Sequence, residues 1–274
     1  MSFKNKIFSI ILIVLALLIG NAFLRGPLFA ISPVKLNFES KDTGNAKLFY
    51  HPGTNLAGFE NIEELIKETE RFHELKFRKP VRVIICNSME EYRRFTGGSA
   101  TAITRAYPGA IYFSPKRKGR KNGLIMKLKI SNLILYQHMS PLGGIKFPNW
   151  FLEGLAVHYG NQKDYMSREE LKSCVKEGLF VYPQDYGTWL SNKLRGKKEY
   201  IKALCKEHPD WAYFFIYAEF GFLVEDLVCD YGKDKVILFM KRLLKRQTPE
   251  KHFKDIFHIS LEDYVLRFKK RLEK

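Results

Sequence analysis

Three patterns of hydrophobic spacing follow one another along the chain. Ile7 to Leu24 is a continuous apolar run with no charge and only Ser9 and Asn21 as clearly polar residues. That length is near the lower limit for a helix that crosses a bilayer. Short apolar runs bounded by turn residues come next. Lys47 to Tyr50 reads as a strand closed by His51-Pro52-Gly53, Val81 to Cys86 as a β-branched strand, and Ala110 to Phe113 as a strand closed by Ser114-Pro115. Between them, residues 61–77 read as a helix with Ile62, Leu65, Ile66, Thr69, Phe72 and His73 on one side. Met89 to Phe95 reads as a short helix, followed by a Gly/Ser/Thr loop over 96–101.

From Leu124 onward the spacing is helical. Leu124 to Met139 contains no Gly or Pro, and Ile125, Leu128, Asn132, Leu135 and Met139 recur at three- and four-residue steps on one face. Pro141, Gly143 and Gly144 stop this helix, and a second one follows over 149–160. Ser167 with Glu170 three residues later has the form of a capping box. Residues 213–231 form an aromatic-rich helix ended near Gly232, residues 233–247 an amphipathic one, and residues 249–274 supply one or two more. Trp211, Phe214, Phe215 and Phe222 read as a core stripe, with a lipid or peptide groove as the other reading.

The expected organisation is a cytoplasmic tail at 1–6, a transmembrane anchor or signal peptide at 7–24, a linker with Pro27 and Pro33 at 25–38, and a domain at 39–274. That domain divides into an α/β part, 39–115, and a helical part, 116–274. Lys4 and Lys6 ahead of the apolar run favour a cytoplasmic N-terminus, which puts the bulk of the chain outside. Gly20-Asn21-Ala22 is a weak cleavage sequence. Phe23-Leu24 continues the apolar run past it and favours an uncleaved anchor.

Composition narrows the partners. The chain has 274 residues, 46% hydrophobic and 14% aromatic, which is the make-up of a folded protein rather than a disordered one. Its 46 Lys and Arg against 29 Asp and Glu give a net charge of +17, which favours anionic partners. Anionic lipid beside a membrane anchor accounts for this charge. The densest basic run is Lys116, Arg117, Lys118, Arg120 and Lys121, read either as a solvated loop or as an anion- or lipid-contacting one. It has no interleaved aromatics to stack bases, and the chain shows no nucleic-acid motif, so nucleic acid is the weaker partner. Gly97-Gly98 lacks the pattern of a phosphate loop.

One segment carries a recognisable signature. Pro148-Asn-Trp150-Phe-Leu-Glu153-Gly154-Leu-Ala-Val-His158-Tyr-Gly160 places one carboxylate among large apolar groups. A carboxylate there is costly unless paired, hydrogen-bonded or metal-bound. The segment resembles the third-ligand helix of gluzincin metallopeptidases, the peptidase MA-like group. The resemblance implies a zincin-like α+β fold over roughly 45–270, with a small N-terminal sheet and helices followed by a mainly helical part. It also implies an earlier helix bearing His-Glu-x-x-His, in which two His hold zinc and the Glu activates a water. The third ligand of the family falls on Glu153.

The His-Glu-x-x-His itself is absent. The favoured frame puts its positions at Leu128, Lys129 and Asn132, mid-helix, where ligands would be rigidly held; each change from the family residue needs a single base substitution. A rival frame over Ile134, Leu135 and His138 keeps one His near the end of the helix. Neither frame retains the general base or both His ligands, so the expectation is a degenerate member without catalytic residues or cofactor. His73-Glu74 is a decoy, because its second His would fall on Phe77; His73 reads as a partly exposed helix residue. His158 lies five residues after Glu153, so the two diverge by about 140° on one helix.

The cysteines at 86, 174, 205 and 229 permit disulfides outside the cytoplasm, and Cys174 with Cys205 is the pair to name. Two functions remain in view. One is a membrane-anchored, catalytically inactive domain that binds a peptide, a cell-envelope polymer or a protein partner through Glu153, Trp150, His138, His158 and the basic run. The other is an active zinc-dependent hydrolase with a rearranged site that uses Glu153 with His138 or His158.

Overall fold

The computed structural model describes residues 3–26, 28–32, 35–116, 121–139, 147–161, 165–187, 198–208, 211–245 and 248–274. The fold is α+β and mostly helical, and the described residues divide into two compact units. The first unit comprises 1–68 and 77–133, the second 69–76 and 134–274.

In the first unit, α1 (Phe3–Arg25) is apolar, and its stretch Ile7–Arg25 is long and apolar enough to cross a membrane. Its apolar side chains are exposed and take no part in the core. Five strands follow: β1 (Glu39–Asp42), β2 (Ala46–Tyr50), β3 (Val81–Ile85), β4 (Ala102–Arg105) and β5 (Ala110–Phe113). They form one sheet in the order β1-β2-β3-β5-β4, with β2, β3 and β5 parallel and the two edge strands antiparallel. Parallel central strands need both faces covered. Ala46, Leu48, Val81, Val83, Ile111 and Phe113 point to one face. There they pack with Ile62 and Ile66 of α2 (Ile62–His73) and with Met126, Ile130 and Leu133 of α4 (Lys121–His138). Phe49, Ile84, Ala110 and Tyr112 point to the other face and pack with Tyr92 and Phe95 of α3 (Met89–Thr96).

The second unit is built from helices. α5 (Asn149–Gly160) packs on α8 (Trp211–Tyr231), accompanied by α6 (Arg168–Lys176), α7 (Glu199–Glu207), α9 (Lys233–Leu244), α10 (Pro249–Phe257) and α11 (Leu261–Glu273). The capping box at Ser167 and Glu170 forms in full, and Ser260 caps α11 through the Asp263 N–H. Asp226 of α8 is buried and takes Arg168 of α6 at 2.7 Å and Arg271 of α11 at 3.2 Å, which ties three helices together. Phe239 of α9 meets Phe151 of α5 edge-on at 4.9 Å and Phe253 of α10 at 5.5 Å.

Several expectations are corrected. β1 and β4 are strands the spacing did not reveal: all of β1 is exposed, so no apolar alternation marks it. α2 ends at His73, not at 77, because Glu74 turns to φ 50 and Leu75 N–H donates to Glu70 O at 3.2 Å. His73 is fully buried rather than partly exposed. The stretch 25–38 is not a free linker, since Phe29 and Ala30 are buried in the sheet core and Phe29 stacks on Phe95 at 4.6 Å. Within the aromatic stripe, Phe215 and Phe222 are core, whereas Phe214 is 49% exposed. Cys174 and Cys205 are not joined; all four cysteines are free thiols. Pro27, Pro33, Pro141, Gly143 and Gly144 lie outside the described residues.

Candidate functional site

The site is built on the second unit around α5. Pro148, at φ −64, sets the start of that helix, and Asn149 N–H donates to Gly187 O at 3.0 Å. Trp150, Phe151, Leu152, Leu155, Ala156 and Val157 are buried, so the helix is apolar on nearly every side. Gly154 marks where α5 crosses α8. A Cβ there would come within 2.5 Å of Phe220 O and 2.9 Å of Val224 Cγ2. The Glu-Gly pair therefore has a packing reason: only a residue without a side chain lets the two backbones approach this closely.

Glu153, immediately before that contact, is half-buried. Two phenols of this unit feel its charge. The Glu153 charge, followed by burial, pushes the Tyr217 phenol well above its ordinary pKa. Burial, followed by the Glu153 charge, does the same to Tyr186. Tyr217 is half-buried as a whole, but its hydroxyl end is enclosed. At neutral pH both phenols keep their protons and remain hydrogen-bond donors beside a carboxylate. Further rings lie beside Tyr217: Tyr165 lies edge-on to Tyr217 at 5.9 Å and tilted against Phe214 at 5.7 Å, and Tyr213 is 6.2 Å from Tyr217. Tyr213 and Phe214 open this aromatic group to solvent.

The other expected site residues are placed as follows. Trp150 is buried against Phe151, edge-on at 5.3 Å, and serves the core. His138 Nε2 donates to Lys76 O at 2.8 Å. His158 is half-buried, with its ring 6.2 Å from Phe72. In the first unit, Leu128 and Asn132 are buried, and the Lys129 carbonyl accepts from Thr104 Oγ1 at 3.1 Å. Lys116 is exposed; Arg117, Lys118 and Arg120 lie outside the described residues, as does the Lys121 side chain.

The resemblance implies zinc, and the donor set does not fit it. Catalytic zinc takes three protein ligands of N, O or S type. Leu128 offers no donor atom, Lys129 offers a cation, and Asn132 offers a neutral amide. In the rival frame Ile134 and Leu135 are fully buried hydrocarbons. Among the described residues, no three His, Cys, Asp or Glu side chains gather as a metal-holding group.

Reasoning from the sequence missed Tyr165, Tyr186, Tyr213 and Tyr217. Tyr213 and Tyr217 are one helical turn apart, a local signal that could have been read. Tyr186 had none, because it feels the Glu153 charge from a separate 3-10 turn (Pro183–Tyr186).

No protein-family model matches the chain. It is similar to the uncharacterized protein YhcO of Bacillus subtilis (strain 168), with 25% identity over 129 residues, or 47% of this chain. The match spans 34% of that relative's length.

Proposed function

We propose that this chain is a membrane-anchored, extracytoplasmic domain of degenerate gluzincin type, which binds a peptide or a cell-envelope polymer and does not hydrolyse it. The observation that carries the reading is the setting of Glu153. The one family ligand position that keeps its residue sits with the phenols of Tyr217 and Tyr186. A carboxylate beside protonated phenols, opening onto exposed aromatic rings, suits a ligand that presents an amine or several hydroxyls to an aromatic wall. The rest of the Pro148–Gly160 signature is accounted for by the packing of α5 on α8.

The chemistry of Leu128, Lys129 and Asn132 argues against an activated water. A cation where the general base belongs neither accepts a proton nor tolerates a metal beside it. The membrane placement rests on the apolar α1, and its orientation on Lys4 and Lys6.

The test is metal analysis of the full chain purified in neutral detergent, together with a casein hydrolysis assay. The expected result is substoichiometric zinc and no hydrolysis. Stoichiometric zinc that disappears together with hydrolysis in Glu153→Ala would overturn the reading in favour of the rearranged hydrolase.

A further inference from the structure

A second site arises in the first unit from strand register. β2 pairs with β3 so that Lys47 faces Arg82; β3 pairs with β5 so that Arg82 faces Ala110; β4 pairs with β5 so that Arg105 faces Ala110. Side chains in one register row share a face of the sheet. Lys47, Arg82 and Arg105 therefore stand in one row across four strands, with only the small Ala110 between the two arginines. The row lies two residues from Phe49, Ile84, Tyr112 and Ile103, so it is on the face that holds Phe29 and Phe95. All three cations are half-buried.

The side chains share neighbours on that face. Arg105 and Arg82 both lie close enough to the Tyr112 phenol to act on its charge. Arg105 also reaches the end of α3, where its Nη2 would stand 3.9 Å from a Cβ on Gly97. Lys35 supplies a fourth cation. Its ammonium donates to Phe29 O and, at 2.6 Å, to Ser32 O, and it sits 4.9 Å from the Phe49 ring. Burial, then Arg82, then Lys47 lower the Lys35 ammonium to about 8.

No carboxylate among the described residues forms an ion pair with any of the four. Asp42 faces Lys47 from the edge strand, but its carboxylate accepts from Gly44 N–H at 2.9 Å. Gathering like charges in a half-buried place is unfavourable without an anion to offset it. Two guanidiniums flanking a small residue present the forked donors that match phosphate oxygens.

The position of α1 says which anion is at hand. Helix α1 ends at Arg25, and Leu28 N–H donates back to Ala22 O at 3.1 Å. Phe29 is then already in the core, 1% exposed. Four residues reach at most about 14 Å even when extended. The sheet face is thus leashed within about 14 Å of the end of the apolar helix, beside the headgroups of any bilayer which that helix crosses.

We propose that Lys35, Lys47, Arg82 and Arg105 form a binding site for the phosphate of an anionic phospholipid in the membrane that α1 enters. The site rests on the reading of α1 as a membrane segment. It is independent of Glu153 and of the fate of zinc.

The test uses the full chain in neutral detergent. Dihexanoylphosphatidylglycerol, dihexanoylphosphatidylcholine and glycerol 3-phosphate are titrated separately, with thermal melting to check the fold. The phosphatidylglycerol should bind more tightly than the phosphatidylcholine. Its affinity should fall at least tenfold in Arg82→Gln/Arg105→Gln and stay unchanged in Lys206→Gln, a change at an exposed lysine of α7. Competition by glycerol 3-phosphate would support phosphate as the group recognised. Binding of glycerol 3-phosphate with no detectable binding of phosphatidylglycerol would overturn the lipid assignment. Equal binding of the two lipids, or undiminished phosphatidylglycerol binding in a folded double variant, would overturn the site. Glu153→Gln should leave every one of these titrations unchanged, so failure here leaves the function proposed for Glu153 standing.

Discussion

Gly154 of α5 lies against the backbone of Phe220 in α8, so closely that a Cβ on Gly154 would stand 2.5 Å from the Phe220 carbonyl oxygen. The obstacle is backbone, not a side chain that can swing aside. In an exposed helix, alanine would be better than glycine by up to about 1 kcal/mol. Here overpacking reverses the sign. Gly154→Ala should destabilise the chain by about 1–3 kcal/mol, read as a lower melting temperature, and Gly154→Val should cost more. A Gly154→Ala protein as stable as the parent would show that the two helices do not approach this closely.

His73 makes stability depend on pH. Burial is the main cause that lowers its pKa from 6.5 to about 4. Its Nδ1 donates to Thr69 O at 2.9 Å, and Lys233 adds a smaller lowering push. Between these two pH values the unfolded chain takes up a proton that the folded chain refuses. Stability is therefore lost as pH falls from 6.5 towards 4, by about 1.4 kcal/mol per unit and roughly 3 kcal/mol in all. His73→Asn keeps a donor for the Thr69 carbonyl. It should flatten this slope in denaturant titrations at stepped pH, although it lowers stability overall. A slope as steep as the parent's would assign the effect to other groups.

Glu219 works in the opposite direction. Its carboxyl is fully buried on α8, accepts from Val181 N–H at 3.2 Å, and is pushed well above the ordinary range by burial, with Lys269 opposing. The folded state keeps this proton at a pH where the unfolded chain has lost it, so stability falls as pH rises above the unfolded value of 4.5. Glu219→Gln should gain on the parent in melting temperature as pH is raised from 5 to 8. A constant difference across that range would place Glu219 as an ordinary carboxylate.

The orientation of α1 is open to a direct experiment. A C-terminal alkaline phosphatase fusion, active only when exported, should be active. A fusion of β-galactosidase at the same point, active only in the cytoplasm, should be silent. The reverse pattern would put the sheet face and the Glu153 site on the cytoplasmic side.

Much of the helical framework was legible in the amino-acid order, because it depends on residues close together in sequence. The uncharged run of α1, the Gly- and Pro-free stretch of α4 and the Ser167–Glu170 capping box each lie within one continuous segment of the chain. The three central strands were legible for the same reason, since Ala110–Phe113 is apolar throughout, Val81–Ile85 is β-branched apart from Arg82, and Lys47–Tyr50 is closed by a Pro-Gly turn. The exposed edge strand Glu39–Asp42 was not, because a strand with both faces in water carries no alternation; its pairing with β2 makes it a strand.

Chemistry was less legible than structure. Glu153 stood out as a carboxylate in an apolar helix. The phenols that feel its charge come from a turn at Tyr186 and a helix at Tyr217, brought to α5 only by the packing of that turn and of α8 against it. His73 looked like a helix-surface residue, and burial decided otherwise. Lys47, Arg82 and Arg105 are scattered among many basic residues, and only strand register sets them in one row. Period, capping and hydrophobic length are local properties of the chain and can be read from it. Which distant residues share a face or an enclosed charge is decided by pairing and packing, whose partners lie tens of residues apart.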